Sequence, residues 1–257
     1  MVTSQLPDLA LSAWALLAVA AALVGISKTA LPGINTISIA IFAAILPAKA
    51  STGALLLLLI VGDVFALLIY RRHADWGTLI RLIPAVVTGL VLGGLFLGFA
   101  DDTSVRRAIG VILLLVIGFT LWQRWRGSRA RTAGTEPPAG DGKGARFGYG
   151  SLGGFTTMVA NAGGPVMSMY LLAARFPVKA FLGTAAWFFA VINLAKVPVS
   201  AGLGLITPAT LWMDLVLVPA VVVGALAGRW LAQRMAQDPF EWAVIGGTVL
   251  GAGYLLL

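Results

Sequence analysis

The 257-residue sequence predicts an all-α polytopic membrane protein of about 8–10 membrane segments. These segments form two inverted-topology repeats, each opening with a Gly/Pro-broken helical hairpin. Three observations predict this: an apolar composition, long uninterrupted hydrophobic runs, and an ordered internal match between the two halves of the chain.

Composition comes first. Hydrophobic residues make up 59% of the chain and charged residues 11%, with a mean hydropathy of +0.95. Soluble domains carry roughly 45–50% apolar and about 25% charged residues, so too few polar groups remain to cover a globule in water. Helices are the predicted spanning element, because a bilayer needs about 20 apolar residues per helix. Residues 55–70 with their flanks, 79–99, 105–122, 181–200, 211–231 and 242–257 provide such runs. A membrane β-barrel would show alternating segments of about ten residues, and these runs are continuous.

The chain has no cysteine, which excludes disulfides and thiolate metal sites. Its first 25 residues lack a Lys or Arg ahead of the apolar stretch, unlike a secretory signal, and are read as a retained helix. The net charge of +8 invites a nucleic-acid reading. Its distribution argues instead for membrane topology, because basic residues gather in a few loops. Many lie in 124–146, "RWRGSRARTAGTEPPAGDGKGAR", whose Gly, Pro and charge content marks a flexible linker. The organisation predicted is a first membrane repeat (1–123), the linker (124–146) and a second membrane repeat (147–257).

The repeat rests on two matches. "PAKASTGA" (47–54) matches "PVKAFLGT" (177–184) at an offset of 130, and "PAVVTGLVLG" (84–93) matches "PAVVVGALAG" (219–228) at an offset of 135. With the linker placed in the cytoplasm, 13 Lys and Arg residues fall inside and only Lys49, Arg106 and Arg107 outside, leaving Lys28 and Lys196 within membrane segments. The equivalent loops at Lys49 and Lys179 then lie on opposite faces. That is an inverted repeat, which in secondary transporters places the site at the repeat interface near the midplane.

Each half opens on a broken segment, "GISKTALPGINTIS" (25–38) and "GGFTTMVANAGGPVMS" (153–168). The offset of 130 pairs Gly33 with Gly163 and Ser38 with Ser168. Proline and Gly-Gly interrupt a helix interior, and irregular backbone survives at membrane depth only where it is buried in protein or lines a cavity. Proline suits a first helical turn. Second half-helices are therefore expected to open at Ile34, after Pro32 and Gly33, and at Val166, after Gly163, Gly164 and Pro165. Their free amides and positive dipole ends suit an anion, with Asn35, Thr36, Ser38, Asn161 and Ser168 adding donors. The bland alternative is a pair of kinks that ease helix packing.

Buried charge points to the same region. Lys28, Asp63 and Lys196 lie in apolar stretches, where a charge costs roughly 2.5–3.5 kcal/mol on insertion scales. Asp63 corresponds to Asn193, and Lys196 lies one turn beyond it on the same face. Lys28 falls near the end of a half-helix, where a cation suits the dipole. Two lysines beside facing helix starts describe an anion pocket; a structural Asp63–Lys196 ion pair is the alternative. His73, the single histidine, is expected to be solvated, and Asp214 to start a helix near the surface. Neither a metal cluster nor a catalytic triad can be built on His73. Trp76, Trp122, Trp125, Trp212 and Trp242 sit near expected span ends, as an interfacial belt would.

The broken opening of each half, the "P-x-K-A" element and the repeated "P-A-V-V-x-G" helix resemble the sulfite exporter TauE/SafE family of bacterial membrane transporters. The first half departs from that family's glycine-rich opening, reading "SKTALPG" with Lys28 and Pro32. The resemblance implies a secondary transporter of the inner membrane moving sulfite, organosulfonates or related anions. On that reading Lys28 and Lys196 compensate substrate charge, and amides around Gly33 and at Gly163, Gly164 and Val166 orient its oxygens. Asp63 couples a proton. No cofactor or catalytic residue is called for. The expected partners are a small anion and the lipid bilayer, not nucleic acid, with homo-oligomerisation left open. A passive channel for small anions or other small solutes is the competing class.

Overall fold

The computed structural model describes residues 7–112 and 142–236, with positions 114, 115, 118, 122 and 239. The expected span at 242–257 and most of the 124–146 linker lie outside the described residues. Helices run in the order α1 (Leu11–Thr29), α2 (Asn35–Ile45), α3 (Ala48–Tyr70), α4 (Trp76–Phe99), α5 (102–112), α6 (Lys143–Ala160), α7 (Gly163–Ala173), α8 (Val178–Gly202) and α9 (Pro208–Arg234). Short 3₁₀ turns, Pro32–Ile34 and Arg71–His73, precede α2 and follow α3. Among the described residues five helices are long and apolar enough to cross a membrane, which makes the chain an all-α, multi-pass membrane protein. Val87, Val91 and Leu95 recur at helical spacing on α4 with their side chains exposed, as a face turned to lipid requires.

Element boundaries follow local chemistry. The Asp75 carboxylate accepts from the Thr78 amide at 2.7 Å and caps α4. Thr207 and Thr210 form a reciprocal capping box at the start of α9. Asp101 accepts from the Ser104 amide at 2.8 Å, and hydrogen bonding by the Ser104 side chain, with this amide second, holds its carboxyl below the usual carboxylate range. Its neighbour Asp102 reaches back to the Lys49 amide at 2.9 Å and caps α3 from another element. Two boundaries differ from expectation. The helix α6 opens at Lys143, inside the expected linker. And α9 opens at Pro208 rather than at Asp214, which lies one and a half turns in and is buried with neither carboxylate oxygen hydrogen-bonded.

Each broken segment is a hairpin that returns on itself. The Ser38 hydroxyl on α2 donates to the Ala20 carbonyl on α1 at 2.9 Å, and α7 packs back against α6 with Val166 facing Gly153. The returning arms, α2 and α7, have 11 residues each. They therefore extend about 16 Å, half of a hydrocarbon core of about 30 Å.

The first arm of each hairpin packs against a helix of the opposite half, and the two packings share one register. Gly224 and Gly228 on α9 press on Ala22 and on Ile26 with Thr29 of α1; Gly89 and Gly93 on α4 press on Ser151 and on Phe155 with Met158 of α6. Gly25 meets Val221 and Ala225, as Gly154 meets Val86 and Leu90. A shift of 129 residues relates α1 to α6 throughout, and 135 relates α4 to α9. Small residues let membrane helices approach this closely. A Cβ at Gly224 would lie 2.7 Å from the Ala22 carbonyl carbon. Gly224→Leu is therefore expected to cost about 3 kcal/mol or more and to abolish a monodisperse peak on size exclusion. Gly202→Ala, where no atom lies within 4 Å, should leave the peak intact.

The central helices α3 and α8 cross antiparallel. Gly183 of α8 packs on Tyr70 and His73 at one end, while Asn193 meets Asp63 farther along. These last two residues are sequence equivalents at the offset of 130. Equivalents on antiparallel helices can touch only where a twofold axis would pass.

Candidate functional site

The two hairpin tips meet in the interior, and their local chemistry explains each turn. The first helix ends at Thr29, and Pro32, lacking an amide hydrogen, opens the 3₁₀ turn that leads into α2. The second hairpin ends α6 at Ala160 and turns through Asn161 in the left-handed region, φ 54°. Asparagine tolerates that region. Its amide and that of Ala162 close onto the Thr157 and Thr156 carbonyls at 3.1 Å each. Helix α7 then begins at Gly163, three residues before the expected start, with Pro165 in its first turn and no side-chain cap. The Gly163 and Gly164 amides at this start have no intrahelical partner.

The tips touch directly. The Asn35 side-chain amide donates to the Asn161 carbonyl at 3.2 Å, and a Cβ on Gly164 would come within 2.9 Å of the Pro32 carbonyl oxygen. The Asn161 side chain is fully engaged: its Nδ2 donates to Thr52 of α3 at 2.9 Å, and its Oδ1 accepts from Lys196 Nζ at 2.5 Å. Lys196 also donates to the Thr157 carbonyl at 2.5 Å.

A second polar group faces the first hairpin. Lys28 Nζ lies 2.7 Å from Asp63 Oδ1 and 4.5 Å from the centre of the Phe189 ring. The other oxygen, Asp63 Oδ2, accepts from Asn193 Nδ2 at 2.6 Å. Asp63 and Lys196 are buried, and the Lys28 side chain is only 7% exposed. The expected alternative of an Asp63–Lys196 ion pair is overturned: Asp63 pairs with Lys28, while Lys196, one turn beyond Asn193, reaches the second hairpin. Both lysines meet helix C-terminal ends, Lys28 in the last turn of α1 and Lys196 at the last turn of α6. Lys28 lies at a helix end as expected, whereas Lys196 reaches the end of α6 instead of a helix start. A carbonyl-rich helix end attracts cations, which explains the placement.

A cavity of about 20 Å³ lies between the tips, bordered by Lys28, Asn35, Asp63, Asn161, Gly164 and Asn193 among others. This is room for about one water molecule. Of the remaining expected residues, Lys196 adjoins the cavity through Asn161. The Gly33 carbonyl accepts from the Thr36 hydroxyl at 2.8 Å, so Thr36 serves its own turn. Ser38 is committed to Ala20, Gly163 packs on Thr157, and Ser168 is buried on α7 with its hydroxyl unpartnered. Pro165 faces a separate, nearly apolar cavity with Phe96, Phe155 and Met169. Sequence reasoning missed Phe189, one turn before Asn193, and Thr157, one turn before Asn161; helical spacing from each asparagine was the available signal. It also missed Thr52, for which no sequence signal exists.

Among the described residues no group of His, Asp and Glu side chains could hold a metal. No curated protein and no solved structure gives a significant match to this chain. The model of a family of membrane transporters, Sulfite exporter TauE/SafE, matches residues 17–255, nearly the whole length. The chain belongs to the sulfite exporter TauE/SafE family.

Proposed function

We propose that the protein is a secondary transporter that moves small sulfur-containing anions, sulfite or organosulfonates, across the bacterial inner membrane by alternating access. The observation that carries this reading is the meeting of two half-length hairpins around a buried polar cavity holding Lys28, Asp63 and Lys196 nearby. Buried ionisable groups in membrane proteins mark substrate and ion paths. The antiparallel α3–α8 crossing at Asp63 and Asn193, and the matching glycine registers, support an inverted repeat with the site at its interface. The excess of Lys and Arg on one side supports a cytoplasmic linker.

In this reading the tips must part to seat substrate, since about 20 Å³ does not hold a sulfur oxyanion. Parting of the tips exposes the Lys196 ammonium and the Gly163 and Gly164 amides. Asp63, held between Lys28 and Asn193, carries the coupled proton: taking it up weakens the bond to Lys28 and frees the first hairpin. A passive channel is the competing reading. A thermal-shift screen of the purified protein with sulfite, sulfate, thiosulfate and methanesulfonate tests the substrate assignment. At least one of these anions should raise the unfolding temperature, and no response to any of them would remove it.

A further inference from the structure

Charge at the tips is unevenly compensated. Both oxygens of Asp63 are occupied, one by Lys28 at 2.7 Å and the other by Asn193 at 2.6 Å. Lys28 is therefore neutralised where it stands. Lys196 meets only neutral acceptors, the Asn161 side-chain oxygen and the Thr157 carbonyl, each at 2.5 Å. Both contacts are acceptors, to which the nitrogen donates. Around the cavity the described residues carry two cations and one anion, and the surplus positive charge sits on Lys196.

The orientation of Asn161 is fixed by its other bonds. Its Nδ2 donates to Thr52, and its own carbonyl accepts from Asn35. This leaves Oδ1 as a neutral oxygen presented to Lys196, and Gly164, whose amide is uncapped, borders the same cavity as Asn161. An oxygen held against a buried cation beside free helix-start amides is what a bound oxyanion would provide.

We propose that the Asn161 carboxamide oxygen holds the place of substrate on Lys196, and that this seat takes an oxyanion bearing a single negative charge. The proposal rests on the transport reading above and adds to it the charge class of the substrate and the role of Asn161. A monoanion displaces Asn161 Oδ1, cancels the one uncompensated charge, and frees the second hairpin tip from α8. With Asp63 ionised, a dianion would leave a net negative charge buried, at a cost in desolvation.

The test uses the full chain in lipid nanodiscs and compares methanesulfonate with sulfate, two tetrahedral sulfur oxyanions that differ in charge. Binding is measured by calorimetry for the native protein, Asn161→Gly and Asn161→Asp. The native protein should bind methanesulfonate at least about tenfold more tightly than sulfate. Asn161→Gly keeps the left-handed turn, removes the competing oxygen and should tighten methanesulfonate binding about tenfold. Asn161→Asp tethers a carboxylate to Lys196 and should abolish binding. Sulfate bound as tightly as methanesulfonate, or weaker binding by Asn161→Gly, overturns the proposal while leaving the transport reading in place. If Asn161→Asp does not fold, the other two comparisons still decide. Failure of the native protein to bind any sulfur oxyanion overturns both readings.

Discussion

Replacing Asp63 by leucine is expected to destabilise the protein by about 3–5 kcal/mol, because Lys28 is left as an unpaired charge in the interior. Lys28 and Asp63 are nearly inaccessible, with side-chain exposures of 7% and 3%. The face of Phe189, 4.5 Å from Lys28 Nζ, remains beside it but does not replace a carboxylate. The double replacement Lys28→Met with Asp63→Leu removes both charges and should recover most of that loss, since apolar substitution of a whole buried pair is often neutral. Both variants should lack proton-coupled transport, so stability and function separate in the double variant. Unfolding in detergent, followed by intrinsic fluorescence against denaturant, gives the comparison. Equal stability of the single and double variants would mean that the ion pair does not hold α1 to α3.

Lys196→Met is expected to have the largest functional effect, a loss of transport of at least about 100-fold, while the folded yield stays comparable. The side chain is 1% exposed, and its methylenes can be replaced by those of methionine with little change in volume. What is lost is the ammonium that ties Asn161 and the Thr157 carbonyl to α8. Leaving those acceptors without a donor costs about 1–3 kcal/mol. The buried charge itself disappears, which offsets part of that cost. Transport in proteoliposomes equal to that of the native protein would remove Lys196 from the substrate path.

Several features of this architecture were legible in the residues. The apolar runs became α3, α4, α8 and α9 with boundaries that moved by a turn or two. The breaks at Pro32 and Gly163 became hairpin tips, and the offset of 130 that paired Asp63 with Asn193 turned out to join two touching side chains. Periodicity along one helix could not say which acid meets which lysine. Lys196 shares a face with Asn193, which made Asp63 its apparent partner. The crossing of α3 and α8 instead carries Lys196 past Asp63 to Asn161, and only the packing of α1 on α3 brings Lys28 into range. The glycine register shows the same limit. Gly89, Gly93, Gly224 and Gly228 were visible as a repeat, but their partners on α6 and α1 follow from which helices are neighbours in space. Asp214 fell outside what local rules predict, because Thr207 rather than the acid caps its helix.

The central claim is active transport of a sulfur oxyanion through the site between the hairpin tips, and uphill flux tests it most directly. Purified protein in sealed proteoliposomes, supplied with equal sulfite on both sides and an imposed pH gradient, should accumulate the anion on one side beyond equilibrium. The Lys196→Met protein should not. Sulfite that merely remains equal on both sides while exchanging freely, in either protein, would contradict the account and identify a passive pore.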